Sequence, residues 1–140
     1  MNAILTHIEK DNLFDLTCQF AASVWLENQG NGTFKTHLLP WQAQLAPINT
    51  ILCYDWQQDG FPEIFIAGNE YQTEITTGRY DALYGQILAN EQGKLRAYPL
   101  GYQGFFFRGD TKAMALLKQP KHTSLLVGNN NLPLKAFTLP

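Results

Sequence analysis

Short runs of apolar residues alternate with turn-forming residues along most of the chain. Each run is rich in Val, Ile, Leu or Phe and is bounded by Gly, Pro, Asn or Asp, a pattern that predicts β-strands. Periodicity alone also permits a helix over residues 11–28. The predicted strands are residues 24–27, 34–38, 48–54, 64–67, 84–89, 94–98, 113–117, 125–127 and 134–139, with 48–54 and 64–67 apolar enough to be buried.

Two pairs of similar segments indicate an internal repeat. The stretch VWLENQGNGTFKTHLLP resembles QILANEQGKLRAYPL, which places Asn28 and Asn90 at equivalent points 62 positions apart. The stretch EIFIAGNE likewise resembles SLLVGNNN, with Gly68 and Gly128 60 positions apart. A strand-rich unit repeated at this period is typical of a β-propeller or a similar array, with about four strands per unit.

The repeat predicts an all-β fold of antiparallel four-stranded β-propeller blades. Residues 1–140 are expected to form a single domain, with approximate repeats at 21–82 and 83–140. At this period the chain holds about two blades and a fraction, whereas a closed ring needs at least about four. We therefore expect a partial propeller, either part of a longer protein or completed by a homo-oligomer. The hairpin turns at 29–33 and 91–93 should superpose.

The stretch DWQQDGFPE has the spacing of a calcium loop. Such a loop needs oxygen ligands on alternate residues, a glycine for the sharp turn and a closing carboxylate. Only three of the five candidate ligands are carboxylates, so calcium binding should be weak or absent, and the loop can instead persist as a turn in which Asp side chains accept backbone N–H bonds. The candidate ligands are Asp55, Gln57, Asp59, the Phe61 carbonyl and Glu63.

A long polar insertion, residues 67–85, separates two predicted strands. Loops of this length are often functional. Arg and Tyr are favoured anchors at interfaces, so we expect a contact surface for a protein or glycan partner at Glu74, Arg79, Tyr80 and Asp81. Two alternatives stay open: Arg79 and Asp81 can pin the loop by a local ion pair, or Glu74 and Asp81 can act as the carboxylate pair of a carbohydrate-active enzyme.

Composition and charge argue against nucleic-acid binding and against a membrane-spanning segment. Hydrophobic residues make up 45% of the 140 residues, which is ordinary for a globular protein. The formal net charge of −2 gives no electrostatic signature of nucleic-acid binding, and no apolar stretch has the length of a membrane span. Cys18 and Cys53 sit among apolar neighbours and are expected to be small buried side chains, with pairing left open.

The stretch DWQQDGFPEIFIAGN resembles the calcium-loop and strand motif of FG-GAP/VCBS repeats, the blades of integrin-α-like β-propellers. SVWLENQGNGTF, LPWQAQLAPIN, AGNEYQTEITTGRYDALYG and GFFFRGDTKAMALL extend the resemblance to the C-terminal repeats of large bacterial surface proteins, of the type often associated with ASPIC/UnbV domains. The likeness covers about residues 21–139. Gln57 and Glu63 depart from the aspartates of the motif, which marks the calcium-binding loop as degenerate.

The resemblance implies a seven-bladed propeller in the full-length protein, exported to the cell surface or periplasm. It also implies a non-enzymatic binding and interaction module, without a catalytic residue and with calcium as its only candidate cofactor. The tripeptide at residues 108–110, RGD, is expected to lead into a strand rather than to act as an adhesive motif.

Overall fold

The computed structural model describes residues 16–139. These residues form nine strands, as the sequence pattern predicts, in three antiparallel sheets, of which only one has the expected four strands. Two short 3-10 helices, Trp41–Gln44 and Tyr102–Gly104, lie in the connections. The strands are β1 (Val24–Asn28), β2 (Phe34–Leu38), β3 (Ile48–Tyr54), β4 (Glu63–Gly68), β5 (Gln86–Glu91), β6 (Lys94–Ala97), β7 (Thr111–Lys118), β8 (Thr123–Asn129) and β9 (Lys135–Leu139).

Each sheet is built from strands that follow one another in the chain. The β1–β2 hairpin is the first sheet, β3-β4-β5-β6 the second and β7-β8-β9 the third. The second sheet is therefore a four-stranded antiparallel meander. The helical alternative for residues 11–28 is wrong where it can be compared, because residues 16–23 have no regular structure and β1 follows them; residues 11–15 lie outside the described residues.

The middle sheet packs on both of its faces. On one face, the fully buried Phe65 and Ala67 contact Leu125 and Val127 of the third sheet in the larger apolar cluster. On the other face, Ile66 and Leu88 pack in a second cluster with Ala43. This burial on both sides explains why β4 is almost continuously apolar. The prediction of a buried strand at 64–67 is confirmed.

The β3 strand is not the buried strand that the sequence predicted. It lies at an edge of the middle sheet, and its side chains alternate between half-buried and exposed. Ile51 is 62% exposed, because the part of the face that it shares with Cys53 is not covered by other described residues. The expectation of buried cysteines is wrong as well: Cys18 and Cys53 are both exposed and unpaired.

Strand register fixes how the second and third sheets correspond. Both begin with a bulge in their first strand, after Ile48 in one and after Thr111 in the other. The residue just past each second strand donates its backbone N–H to the residue before the bulged strand: Asn69 to the Pro47 carbonyl and Asn130 to the Asp110 carbonyl. Asn69 thus corresponds to Asn130.

This correspondence corrects the alignment of the two glycines. Gly68 pairs with Ile48, and Asn129 pairs with Thr111, so Gly68 corresponds to Asn129. Gly128 corresponds to Ala67 instead, because both oppose the residue that follows the bulge. The first two strands of the second and third sheets therefore correspond, but the sequence alignment at this point was shifted by one residue.

The two predicted hairpins form, but their turns do not match. Five residues, 29–33, join β1 to β2, whereas only Gln92 and Gly93 join β5 to β6. Gln92 and Gly93 both have positive φ, as a two-residue hairpin turn requires. The longer turn uses Gly30 and Gly32 at positive φ. The expected superposition of the turns is therefore wrong.

Asn69 connects three segments of the fold. Its side chain is fully buried and lies at the end of β4. The amide nitrogen donates to the carbonyls of Leu83 and Gly109, both at 2.8 Å, and the amide oxygen accepts from the Leu83 N–H. One side chain therefore ties β4 to the loop before β5 and to the segment that leads into the third sheet.

One face of the third sheet has no covering element among residues 16–139. Met114, Leu125, Val127 and Phe137 point toward the middle sheet. The residues between them point the other way and are mostly exposed. This open face, as we call it, consists of Ala113, Ala115, Leu117, Ser124, Leu126, Gly128, Ala136 and Thr138.

The described residues also bear on membrane insertion. Across residues 16–139, no helix has the length and apolar character that crossing a bilayer would require.

Candidate functional site

The calcium-like loop connects β3 to β4 and is held together by its own carboxylates. Asp55 accepts the backbone N–H of Asp59 on one oxygen, at 3.1 Å, and that of Gly60 on the other, at 3.0 Å. Asp59 accepts the N–H of Phe61 at 2.8 Å. Gly60 has a φ of +86°, which allows the chain to reverse here. These side-chain-to-backbone bonds are those expected of a self-supporting turn.

Glu63 closes the loop from inside the protein. Its side chain is only 1% exposed, although β4 begins at this residue. One carboxylate oxygen accepts the Trp56 N–H at 2.9 Å, and the other accepts the Gln57 side-chain amide at 2.7 Å. A buried carboxylate needs such donors, because an unpaired one would be costly.

In this conformation the loop does not present a complete set of calcium ligands. Gln57 presents its amide nitrogen, a hydrogen-bond donor, to Glu63, whereas a cation requires oxygen. The Asp55 oxygens already accept two backbone N–H groups. Within residues 16–139, no group of three or more His, Cys, Asp or Glu side chains is placed to hold a metal ion.

The corresponding loop of the third sheet is reduced to a tight turn. It joins β7 to β8, just as the calcium-like loop joins β3 to β4. It spans only residues 119–122 and is closed by a bond from the Gln119 N–H to the His122 carbonyl. The loop contains no carboxylate, so the two sheets differ at this position.

A cleft of about 700 Å³ lies between the calcium-like loop and the β5–β6 hairpin. The loop supplies one wall, the hairpin a second, and the 3-10 helix at Tyr102–Gly104 the rest. The lining residues are mostly polar or aromatic. They are Gln57, Asp59, Phe61, Ala89, Asn90, Glu91, Gln92, Lys94, Arg96, Tyr98 and Tyr102.

Two tyrosines form an aromatic platform in this cleft. The rings of Tyr98 and Tyr102 stack with centroids 4.2 Å apart and planes 6° apart. Trp56 supports Tyr102 by an edge contact at 5.9 Å. Gln57 donates to the Tyr98 hydroxyl at 2.6 Å, so the amide that satisfies Glu63 also fixes the platform.

The cleft carries charges of both signs. Arg96 pairs with Glu91 through two nitrogens, at 2.9 and 2.7 Å, and this bond raises the pKa of the guanidinium. The same guanidinium lies 6.0 Å from the centre of the Tyr98 ring. Burial raises the pKa of the Tyr98 hydroxyl above its ordinary value, and the nearby Glu63 carboxylate raises it further. Tyr98 is therefore neutral at physiological pH.

The predicted partner-binding residues occupy a different surface. Residues 69–85 form an irregular loop that an isolated bridge between Glu70 and Tyr80 closes. Arg79 lies over the Tyr71 ring at 5.0 Å, which is the contact that orients it here. Glu74, Tyr80 and Asp81 are exposed, and neither of these carboxylates lines the 700 Å³ cleft.

The RGD tripeptide leads into β7, as expected. Arg108 lies over the Tyr84 ring at 5.3 Å. Asp110 is 1% exposed and pairs with Lys112 at 2.7 Å, and this contact is the main cause of the raised pKa of Lys112. A carboxylate buried and paired in this way is not presented to an external partner.

The sequence indicated one wall of the cleft but not the others. It identified Gln57, Asp59 and Phe61 as candidate metal ligands. It gave no role to Tyr98 or Tyr102, because their stacking depends on how a hairpin and a 3-10 helix meet in space. The only local signal was the Pro-Leu-Gly-Tyr run at residues 99–102, which marks a turn after β6.

Comparison with known proteins adds no relative. A scan against protein-family models gives no match, and searches of the curated proteins and of the solved structures give none either. The resemblance to FG-GAP/VCBS repeats therefore stays a hypothesis, which rests on the motifs quoted above.

Proposed function

We propose that this chain is a non-enzymatic interaction module, made of propeller-type blades that belong to a cell-surface or periplasmic assembly. The observation that carries the proposal is the packing of the middle sheet on the third sheet, which follows it in the chain, through the larger apolar cluster. Successive four-stranded meanders stacked face to face are how propeller blades bury their apolar faces. The resemblance of the motifs in β4 and its preceding loop to FG-GAP/VCBS repeats supports the export of the protein.

In this proposal the middle sheet is one blade and the other two sheets are parts of its neighbours. The β1–β2 hairpin stands in the place of the outer strands of one blade, since β5 and β6 are their counterparts by sequence similarity. The third sheet corresponds to the next blade, with β9 in the place of β5. The bulges at the starts of β3 and β7 support this correspondence.

In this arrangement, apolar surface on the third and middle sheets is still exposed. Leu117 on the open face is 46% exposed, and Ile51 on the exposed part of the middle sheet is 62% exposed. The outer edge of β9 has no strand beside it among the described residues. Apolar faces and strand edges of this kind drive association. We expect copies of the chain to assemble through these surfaces.

Light scattering after size-exclusion chromatography tests this expectation. The chain has a mass of 15.8 kDa, and we expect a particle of at least twice that mass. Leu117→Lys should dissociate the particle, because it places a charge on the open face. Ile75→Lys is the matched control, since Ile75 is a fully exposed aliphatic residue in the polar loop and its change should leave the mass unaltered. A stable monomer at high concentration would contradict the expectation.

A further inference from the structure

The cleft beside the calcium-like loop has the dimensions of a ligand site. Its volume of about 700 Å³ falls within the range of roughly 300–1,000 Å³ that is typical of small-molecule sites. It is preformed, because hydrogen bonds hold its walls. Gln57 bonds both Glu63 and Tyr98, and the Asn90 side chain accepts the N–H of Gly93 at 2.8 Å in the hairpin turn.

The balance of charge in the cleft favours an uncharged ligand. Asp59 and Glu91 supply two negative charges, and Lys94 and Arg96 supply two positive ones. Nucleic acid and acidic peptides are recognised by an excess of positive charge, which is lacking here. The side-chain amides of the lining instead offer hydrogen-bond donors and acceptors without net charge.

The aromatic platform favours a ligand with flat apolar patches. Tyr rings combine a broad apolar surface with little conformational freedom, so they anchor ligands at low entropic cost. Tyr102 is 36% exposed, and its position is fixed by the stack with Tyr98 and by Trp56. A sugar ring has both properties that the cleft would recognise: hydroxyls around its rim and an apolar face of C–H groups.

We propose that this cleft binds a neutral oligosaccharide, with a sugar ring packed on the tyrosine platform and its hydroxyls bonded to the polar walls. The assignment rests on the proposed function, since it names the ligand class of a binding module. It also gives the calcium-like loop a role without metal. Through Gln57, the buried Glu63 positions Tyr98, so the loop acts as a rigid wall of the cleft.

Isothermal titration calorimetry with cellohexaose, maltohexaose, mannohexaose and xylohexaose tests the proposal. At least one of these sugars should bind the intact chain. Tyr102→Ala should weaken binding by about tenfold or more, whereas Tyr102→Phe should keep it within about threefold, because the ring face makes the contact. Phe34→Ala is the matched control, since Phe34 is an exposed aromatic residue on β2 outside the cleft, and should leave binding unchanged.

A second variant keeps the test informative if Tyr102→Ala fails to fold. Lys94→Trp places a bulky side chain into the cleft from an exposed position on β6 and should also abolish binding. Binding that survives Lys94→Trp, or that is lost in Phe34→Ala, would overturn the location. Failure of all four sugars, or binding of an oligothymidylate or a polyglutamate peptide instead, would overturn the ligand class. Neither result decides whether copies of the chain associate, because light scattering tests that association separately.

Discussion

Replacement of Gly68 by Ala should destabilise the protein by roughly 3 kcal/mol, while the same change at Gly128 should be tolerated. A Cβ at Gly68 would overlap the carbonyl oxygen of Pro47 and lie 2.9 Å from the backbone nitrogen of Asn49. Both atoms belong to the main chain at the bulge of β3, so no side-chain rotation relieves the clash. The bulge would have to open, and with it the pairing of β3 with β4.

Gly128 is the matched control, because it also lies near the end of the second strand of its sheet. A Cβ there meets only the Ala113 carbonyl oxygen, at the ordinary contact distance of 3.7 Å. The backbone conformation of Gly128 is one that other residues also adopt, so Ala should leave stability unchanged or raise it by about 0.5 kcal/mol. Urea unfolding curves of the two variants provide the measurement. Equal effects at the two glycines would mean that the register described here is wrong.

The Gln57→Asp variant should lose about 2 kcal/mol of stability in the absence of calcium and recover part of it when calcium is added. The variant lacks the amide that donates to Glu63 and to the Tyr98 hydroxyl, and it adds a carboxylate beside a buried one. It also completes the alternating set of acidic oxygens that a calcium loop requires. We expect the recovery at calcium concentrations on the order of 10⁻⁴–10⁻³ M, as in weak extracellular sites.

Two controls separate the effect of the ion from that of the hydrogen bonds. Gln57→Ala loses the same bonds without a new charge, so it should be destabilised but insensitive to calcium. The unchanged chain should show little rise in melting temperature in micromolar calcium. A large rise in the unchanged chain, abolished by Asp55→Ala, would show that the natural loop binds the ion with Gln57 in place.

The sequence predicted those parts of the fold that depend on neighbours close in the chain. The apolar run in β4 indicated a buried strand, and Phe65 and Ala67 are indeed fully buried. The turn residues at Asp55 and Gly60 indicated a self-supporting loop, and its backbone N–H groups are accepted as expected.

Features that depend on contacts between distant segments could not be predicted in this way. The sequence of β3 is as apolar as that of β4, but its burial depends on what lies beside it, and Ile51 is left exposed. The bulges after Ile48 and Thr111 match, and the pairing beside them makes Gly68 equivalent to Asn129, so aligning Gly68 with Gly128 by sequence was wrong by one position. The cleft arises where a hairpin, a loop and a 3-10 helix converge.

An experimental structure of the assembled protein tests the central proposal most directly, that this chain is a run of blades stacked face to face. The proposal predicts that another sheet covers the open face around Leu117, packed on the third sheet as the third packs on the middle one. A particle in which that face remains exposed to solvent would contradict it. So would one in which the β1–β2 hairpin folds across the open face as a two-layer sandwich.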